Sequence, residues 1–343
     1  GHLGTFASIE ALTAKFPPSE SIGCSANVGT AIPYTKAWCD GSEWALVQAP
    51  QIQALVSGAW TPADTTVAAF LEAANAACVG GGILKLSRGS TYYVRDFPLG
   101  VTKANGGKPW VIDAEGAFIV YDAGIANGAS NPVCPVESIS NAIYSVGSSG
   151  DYMPKLTIRG GTWTGARISG NWDNVTGGTE HDCMTFRYID GIDVIGGRFF
   201  DFQQDAITLQ DVGVEGGRLL YNYFKDMGDA AMEFRGGGGY EAAHNLVERC
   251  RHIVGCKPNI TNVHVHHNQG STFGIGIFGH GTTWVIEKNI VSVATTSDGK
   301  DGNTANGIEI SDAGGLVAPT AASGFKVLGN TVAARSGASC FLT

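Results

Sequence analysis

Charge is scarce in this sequence. Asp, Glu, Lys and Arg together make up 15% of 343 residues, and acids exceed bases to leave a net charge of −9. That balance argues against nucleic acid, whose phosphates demand Lys and Arg, and against an anionic membrane surface. An acidic saccharide stays open, because a local groove can differ in sign from the whole. No run of eighteen apolar residues occurs, so no membrane insertion is expected. The first residues, Gly-His-Leu-Gly-Thr, lack the basic and apolar regions of a signal peptide, and the leading Gly-His reads as a cleavage scar. None of the eight cysteines forms a CxxC pair, so neither zinc nor another metal is expected, nor any cofactor. Cys183, Cys250 and Cys340 fall in or beside apolar strands, where Cys acts as a small hydrophobe. Cys24 and Cys39 are spaced to form a bridge or to stay reduced.

What is present in quantity is glycine, 49 residues, and a phrase that recurs: an alternating apolar run, then Gly or Asn, then another apolar pair. It is read at Leu156–Trp163, Ile192–Phe199 and Leu219–Phe224, and in later copies at Ala242–Val247, Val263–Asn268, Val285–Ile290 and Phe325–Val332. The marker falls at Gly161, Gly197, Asn222, Asn245, Asn268, Asn289 and Asn330, with gaps of 36, 25, 23, 23, 21 and 41. A period in the low twenties with two-residue alternation predicts a stacked β coil. Gly and Asn tolerate the left-handed backbone of a sharp corner. A second apolar strand follows each marker, so each coil holds at least two strands. The fold expected is all-β, a right-handed parallel β-helix, its hand taken from the general rule for parallel crossovers. The two long gaps become loops, 165–180 and 292–306. The Asp298–Asn306 run within the second is expected to be a polar loop rather than a calcium site.

Residues 1–50 read as a separate small α+β module. Its helix is Ser8–Lys15, with Ser8 as cap and Pro17-Pro18 as stop, and its strands are Gly23–Val28, Pro33–Cys39 and Trp44–Val47. The β-helix occupies 51–343. An Ala-rich helix at 62–79, capped by Asp64 or Thr65, ends at Gly80-Gly-Gly82 and leads into an apolar strand and Thr91-Tyr-Tyr-Val94. Trp110–Tyr121 is expected as the first full coil and 123–150 as loop.

Two resemblances follow from these pieces. Thr5–Leu12, Ala31–Thr35 and Trp38–Trp44, in that order, resemble the N-terminal segment of many bacteriophage tail fibres and tailspikes. The helix, the glycine triplet, the strand and Arg88-Gly-Ser-Thr-Tyr-Tyr93 resemble the capping segment of the pectate-lyase-like superfamily, where a helix plugs the open end of the coil. Together they imply a tailspike-like protein that binds and degrades a bacterial surface polysaccharide (capsule, exopolysaccharide or O-antigen). They also imply a homotrimer, phage tail or baseplate proteins as partners, and a place on the virion, acting at the bacterial surface. The resemblances leave three other roles open: a uronate lyase, a receptor-binding spike without activity, and a wall-degrading β-helix enzyme with no virion role.

Stacking makes equivalent positions neighbours about 4.8 Å apart. Asp182 and Asp205 align directly ahead of the second strand, and Asp229 aligns to within one residue. Thr185, Thr208 and Glu233 share an outward face, which Glu309 joins three coils later. Asp182, Asp205, Asp229 and Glu233 are therefore the candidate catalytic acids, since glycosidic hydrolysis needs two carboxylates at about 5–5.5 Å or 6.5–9.5 Å. An Asp before a strand can instead serve only to accept corner hydrogen bonds. Arg187, Arg235, His252, Lys257 and His280 on the following coils are candidate substrate contacts, able to hold a uronate carboxylate. Phe278-Gly-His-Gly281 resembles the Gly-His-Gly of polygalacturonases but lacks that family's other motifs, so it is read chiefly as a corner. Trp172, flanked by Asn171, Asp173 and Asn174, is a candidate sugar-stacking residue, whereas Trp163 shares the place of Phe199 and Phe224 and is expected in the core. His264 and His266 alternate with Val263 and Val265 and point outward, as a substrate contact, a solvated face or an intersubunit face.

Overall fold

In a computed structural model the chain forms two compact units, Gly1–Gln51 and Ile52–Thr343. The structure describes residues 2–21, 25–28, 35–39, 44–46, 52–56, 59–63, 67–94, 97–121, 140–165, 181–257, 260–293, 306–310, 323–334 and 339–342. Trp172 and its neighbours, Cys24 of the possible bridge, the caps at Asp64 and Thr65, and the acidic part of the 298–306 run lie outside these residues.

The first unit is a four-stranded sheet, His2–Phe6, Ser25–Val28, Thr35–Cys39 and Trp44–Leu46, with helix α1 at Ile9–Lys15. Ser8 caps α1 through its Oγ, which accepts from the Ala11 amide at 3.3 Å, and Leu12 is its buried anchor. The strand His2–Phe6 pairs parallel with Ser25–Val28.

The second unit is a parallel β-helix with three strands per coil, so three sheets run its length. Nine coils are seen among the described residues. The first coil is Ile83–Lys85, Thr91–Val94 and Phe97–Leu99, one turn earlier than the sequence suggested. The ninth is Lys326–Leu328, Thr331–Ala334 and Ser339–Leu342. At the start, the antiparallel strands Ile52–Val56 and Ala59–Ala63 extend the first sheet. Helix α2, Val67–Gly80, closes that end. Its Ala73, Ala74, Ala77 and Cys78 join the same core as Leu84 and Trp110, so the helix covers apolar side chains of the first coils. Gly81, at φ 66°, ends the helix in the left-handed conformation expected of C′, and Gly82 donates back to Ala77 O at 2.8 Å. The segment Ser140–Ser145, read as loop, is a strand of the third sheet. Its polar flanks hide a short apolar run, Ala142-Ile-Tyr144, that is buried and pairs Ile143 with Met184.

The marker asparagines form a ladder between the first and second sheets. Asn245 Oδ1 accepts from the Asn222 amide at 2.9 Å and from Asn222 Nδ2 at 3.1 Å, while Asn245 Nδ2 donates to Leu219 O at 2.8 Å. The pattern repeats through Asn268, Asn289 and Asn330. The left-handed residue is not the Asn but the one before it: Tyr221, His244, His267 and Lys288 have φ of 57°, 57°, 55° and 54°. The asparagine side chain satisfies the buried amides that such a corner strands, which offsets the roughly 1–2 kcal/mol cost of each left-handed residue. On the second sheet, Trp163, Phe199 and Phe224 stack inward at 6.2 and 5.0 Å between rings, so Trp163 is core.

Candidate functional site

The candidate acids lie on the third sheet, where strands His181–Arg187, Ile207–Gln210, Ala230–Arg235, His252–Cys256, Ile277–Gly279 and Asn306–Ile310 stack in that order. Met184, Ile207, Met232, Val254, Ile277 and Ile308 point into the core. The next residue on each strand points out. The register therefore builds the outward column Thr185, Thr208, Glu233, Gly255, Phe278, Glu309.

Asp182 and Asp205 are brought together but sealed, at 2% and 1% exposure. Asp182 Oδ1 accepts from the Asp205 amide at 3.1 Å, and Asp205 Oδ1 accepts from the Ala230 amide at 2.9 Å. Their second oxygens take Thr185 Oγ1 at 3.1 Å and Thr208 Oγ1 at 3.2 Å. Burial first, then the charge of Asp205, pushes Asp182 up to about 8. Burial first, then the charge of Asp229, raises Asp205, with Arg235 opposing. The two acids are corner acceptors, one coil to the next, and a polymer cannot reach them. As catalytic candidates they are corrected: each carboxylate is occupied by the buried amide and hydroxyl that a coil corner must satisfy.

The ladder stops where Ala230 replaces an acid, and there the surface opens. A cavity of about 350 Å³ is lined by Asp229, Glu233, Arg251, His252, Phe278 and Glu309, with Gly255 and Lys257 at its wall. Burial, followed by the charge of Asp205, pushes Glu233 up to about 8 against the opposing charges of Lys257 and Arg235. Glu233 Oε1 lies 3.5 Å from Arg235 Nε and 3.7 Å from Lys257 Nζ. The room for its carboxyl comes from Gly255: a Cβ there would sit 2.2 Å from Glu233 Oε2. Asp229, with 31% of its side chain exposed, has Oδ1 at 3.5 Å from both Arg251 Nη1 and His252 Nε2.

His252 Nδ1 is 2.6 Å from Ile275 O, so Nδ1 carries the proton and donates. Burial, then the charge of Arg251, lowers the ring to about 4, so it is neutral at pH 7. The contact between His252 and Asp229 is thus not an ion pair. Two acceptors, Nε2 and Oδ1, face each other 3.5 Å apart, an arrangement that suits a water donating one hydrogen to each. Glu309 stands three coils from Glu233, roughly 14 Å at about 4.8 Å per coil. Its Oε2 accepts from Asn306 Nδ2 at 2.7 Å.

Of the candidate contacts, His252 and Lys257 line the cavity; Lys257 has 60% of its side chain exposed. Arg235 is held inside the wall, its Nη2 on Asp205 Oδ2 at 3.1 Å, and acts on Glu233 rather than on a ligand. Arg187 is a correction: it lies two coils below Arg235 and is engaged by Tyr188 Oη at 2.8 Å and Asp211 at 3.6 Å, away from the cavity. His280 is a second correction, because it is 1% exposed and does not line the cavity. Arg251, Gly255 and Phe278 were not singled out as site residues. The intervals of 22 and 23 residues from Glu233 to Gly255 to Phe278 are the period itself and could have found two of them. A second cavity, about 500 Å³, is lined by Arg88, Glu115, Arg159 and Arg198 and holds no pair of carboxylates.

No protein-family model matches the chain, and no curated protein matches it. Solved structures that resemble it include DFA-IIIase from Arthrobacter chlorophenolicus A6 without its lid, 11% identical, covering 81% of this chain and 86% of that one with a TM-score of 0.35. Another is endo-xylogalacturonan hydrolase from Aspergillus tubingensis, 12% identical, covering 81% and 91%, with a TM-score of 0.24. Likeness at that level says nothing of what this chain acts on; its stacked parallel sheets establish the β-helix directly.

Proposed function

We propose that this chain is a polysaccharide depolymerase that hydrolyses glycosidic bonds in the third-sheet cavity, with Glu233 as general acid and Asp229 as general base. The observation that carries this reading is one carboxyl kept protonated by burial, 5% exposed where it lines the same cavity as a second, more exposed carboxylate. Water held between Asp229 Oδ1 and His252 Nε2 attacks the anomeric carbon, and Asp229 takes its proton. The bond from that carbon to the leaving oxygen breaks as Glu233 gives that oxygen a proton. A water placed by two acceptors beside the base is the arrangement an inverting enzyme needs. Arg251 and Lys257 favour an acidic saccharide, and Phe278 adds an apolar part to the cavity lining.

The setting proposed is a tailspike-like protein, on the resemblance of residues 5–47: a homotrimer joined to phage tail or baseplate proteins, located on the virion and acting on capsule, exopolysaccharide or O-antigen at the bacterial surface. The test is incubation of the purified chain with a panel of such polysaccharides, reading chain length and new reducing ends. Shortening that Glu233→Gln and Asp229→Asn each abolish, in folded protein, supports the reading. Binding with no shortening makes the chain a receptor-binding spike. One observation favours a lyase instead: neutral His252 beside Arg251 could take the proton next to a uronate carboxylate. New ultraviolet absorbance in the products would identify that reaction.

A further inference from the structure

Four of the chain's eight histidines, His244, His264, His266 and His267, gather at one place on the outer side of the first sheet, while the proposed hydrolytic residues lie on the third. Three strands carry the cluster: Gly237–Ala243, Ile260–His266 and Thr282–Glu287. Register pairs Glu241 with His264, and His266 with Glu287. His264 and His266 are two residues apart, so both point outward, and their rings stand 4.0 Å apart. His266 Nε2 is 3.0 Å from Glu241 Oε1 on the coil below, and His264 Nε2 is 3.0 Å from Glu287 Oε1 on the coil above. One donor atom each from Glu241, His264 and His266 lies within 4.8 Å of the others.

We propose that Glu241, His264 and His266 bind a divalent transition-metal ion of the zinc class, with Glu287 completing the shell. Two imidazoles and two carboxylates are a borderline-hard donor set that such an ion accepts, and the two glutamates balance its charge. Donors around tetrahedral zinc, with bonds of about 2.0–2.1 Å, stand about 3.4 Å apart, so shifts of about an ångström bring Glu241, His264 and His266 to that spacing, while Glu287, now on His264 alone, swings further to join them. The other nitrogen of His266 is already engaged: Nδ1 lies 2.9 Å from His267 Nδ1, the outer hydrogen bond that orients a ligating imidazole. The cysteine pattern led to the expectation of no metal, but missing CxxC pairs bear on thiolate ligands and not on a histidine and glutamate set. These ligands come from three successive coils, 21 to 25 residues apart, so the ion ties those coils together. The site does not depend on the hydrolytic reading.

The test is calorimetric titration of the full chain, freed of metal by chelation, with Zn²⁺ alone. The expected result is one saturable ion per chain and a raised unfolding temperature. His264→Ala and His266→Ala each weaken binding by at least about 10- to 100-fold, the loss typical even of a metal's outer partners. The double variant His244→Ala/His267→Ala, which removes the outer partner of His266 but no ligand, still binds one ion saturably and loses less affinity than either ligand variant. Metal-free melting curves of the variants check their fold, and Glu241→Gln gives the same reading should a histidine variant not fold. Absence of saturable binding overturns the proposal. So does binding that survives loss of His264 and His266, or binding that only the His244/His267 variant loses.

Discussion

Removing one rung of the asparagine ladder should show how much of the β-helix rests on its corners. In Asn245→Ala, the Asn222 amide loses its acceptor at 2.9 Å and Leu219 O loses its donor at 2.8 Å, both buried. Asn222 Nδ2 keeps Val194 O at 2.9 Å, and Asn268 Oδ1 keeps the Asn245 amide at 3.0 Å. Two buried groups are thus left short, at about 1–3 kcal/mol each. A loss of about 2–4 kcal/mol is expected after allowing for the smaller entropy cost of ordering alanine. Asn330 makes equivalent bonds, to the Asn289 amide at 2.9 Å and to Ile286 O at 2.8 Å, but it is only half-buried. Water can replace its side chain, so Asn330→Ala should cost about 1 kcal/mol or less. Equilibrium urea unfolding of the full chain, followed by circular dichroism, reads both. A loss under about 1 kcal/mol for Asn245→Ala, or equal losses at the two sites, refutes the claim that burial makes these bonds indispensable.

Three further outcomes are expected. Glu233 is raised from 4.5 to about 8, so the folded state holds a proton that the unfolded state releases between those values. Its contribution to stability is therefore full below about 4.5 and is lost as pH rises toward 8; a melting temperature whose fall over that range is not flattened by Glu233→Gln contradicts this. Gly255→Ala puts a Cβ 2.2 Å from Glu233 Oε2 where ordinary contact begins near 3.4 Å, displacing the carboxyl by about an ångström. Depolymerisation should fall about 100-fold with the coil intact, and activity within threefold of the parent argues against Glu233 as the acid. Asp205→Asn keeps an acceptor for the Ala230 amide and should retain activity while shifting its pH profile, because the Asp205 charge helps to raise Glu233; complete loss in folded protein would restore Asp205 to the catalytic pair.

The asparagine spacing was enough to predict a column, because a residue that recurs once per coil must stack if the coils stack. The outward column through Thr185, Thr208, Glu233 and Glu309 was legible for the same reason. Local pattern failed where it was short or diluted. Ser140–Ser145 carries three apolar residues between polar neighbours and becomes a strand because Phe97–Leu99 and His181–Arg187 pair on either side of it.

Composition and period, both properties of the chain read in one dimension, determined the class of fold, its coil length, and which residues became neighbours. Tertiary structure decided which of those neighbours meet solvent. Asp182 and Asp205 precede their strands and Glu233 lies within its own, yet all three were candidates until the structure sealed two with backbone amides and hydroxyls and set the third at a cavity beside Gly255. Exposure depends on what every adjacent coil places around a carboxylate, and no repeat unit carries that information by itself.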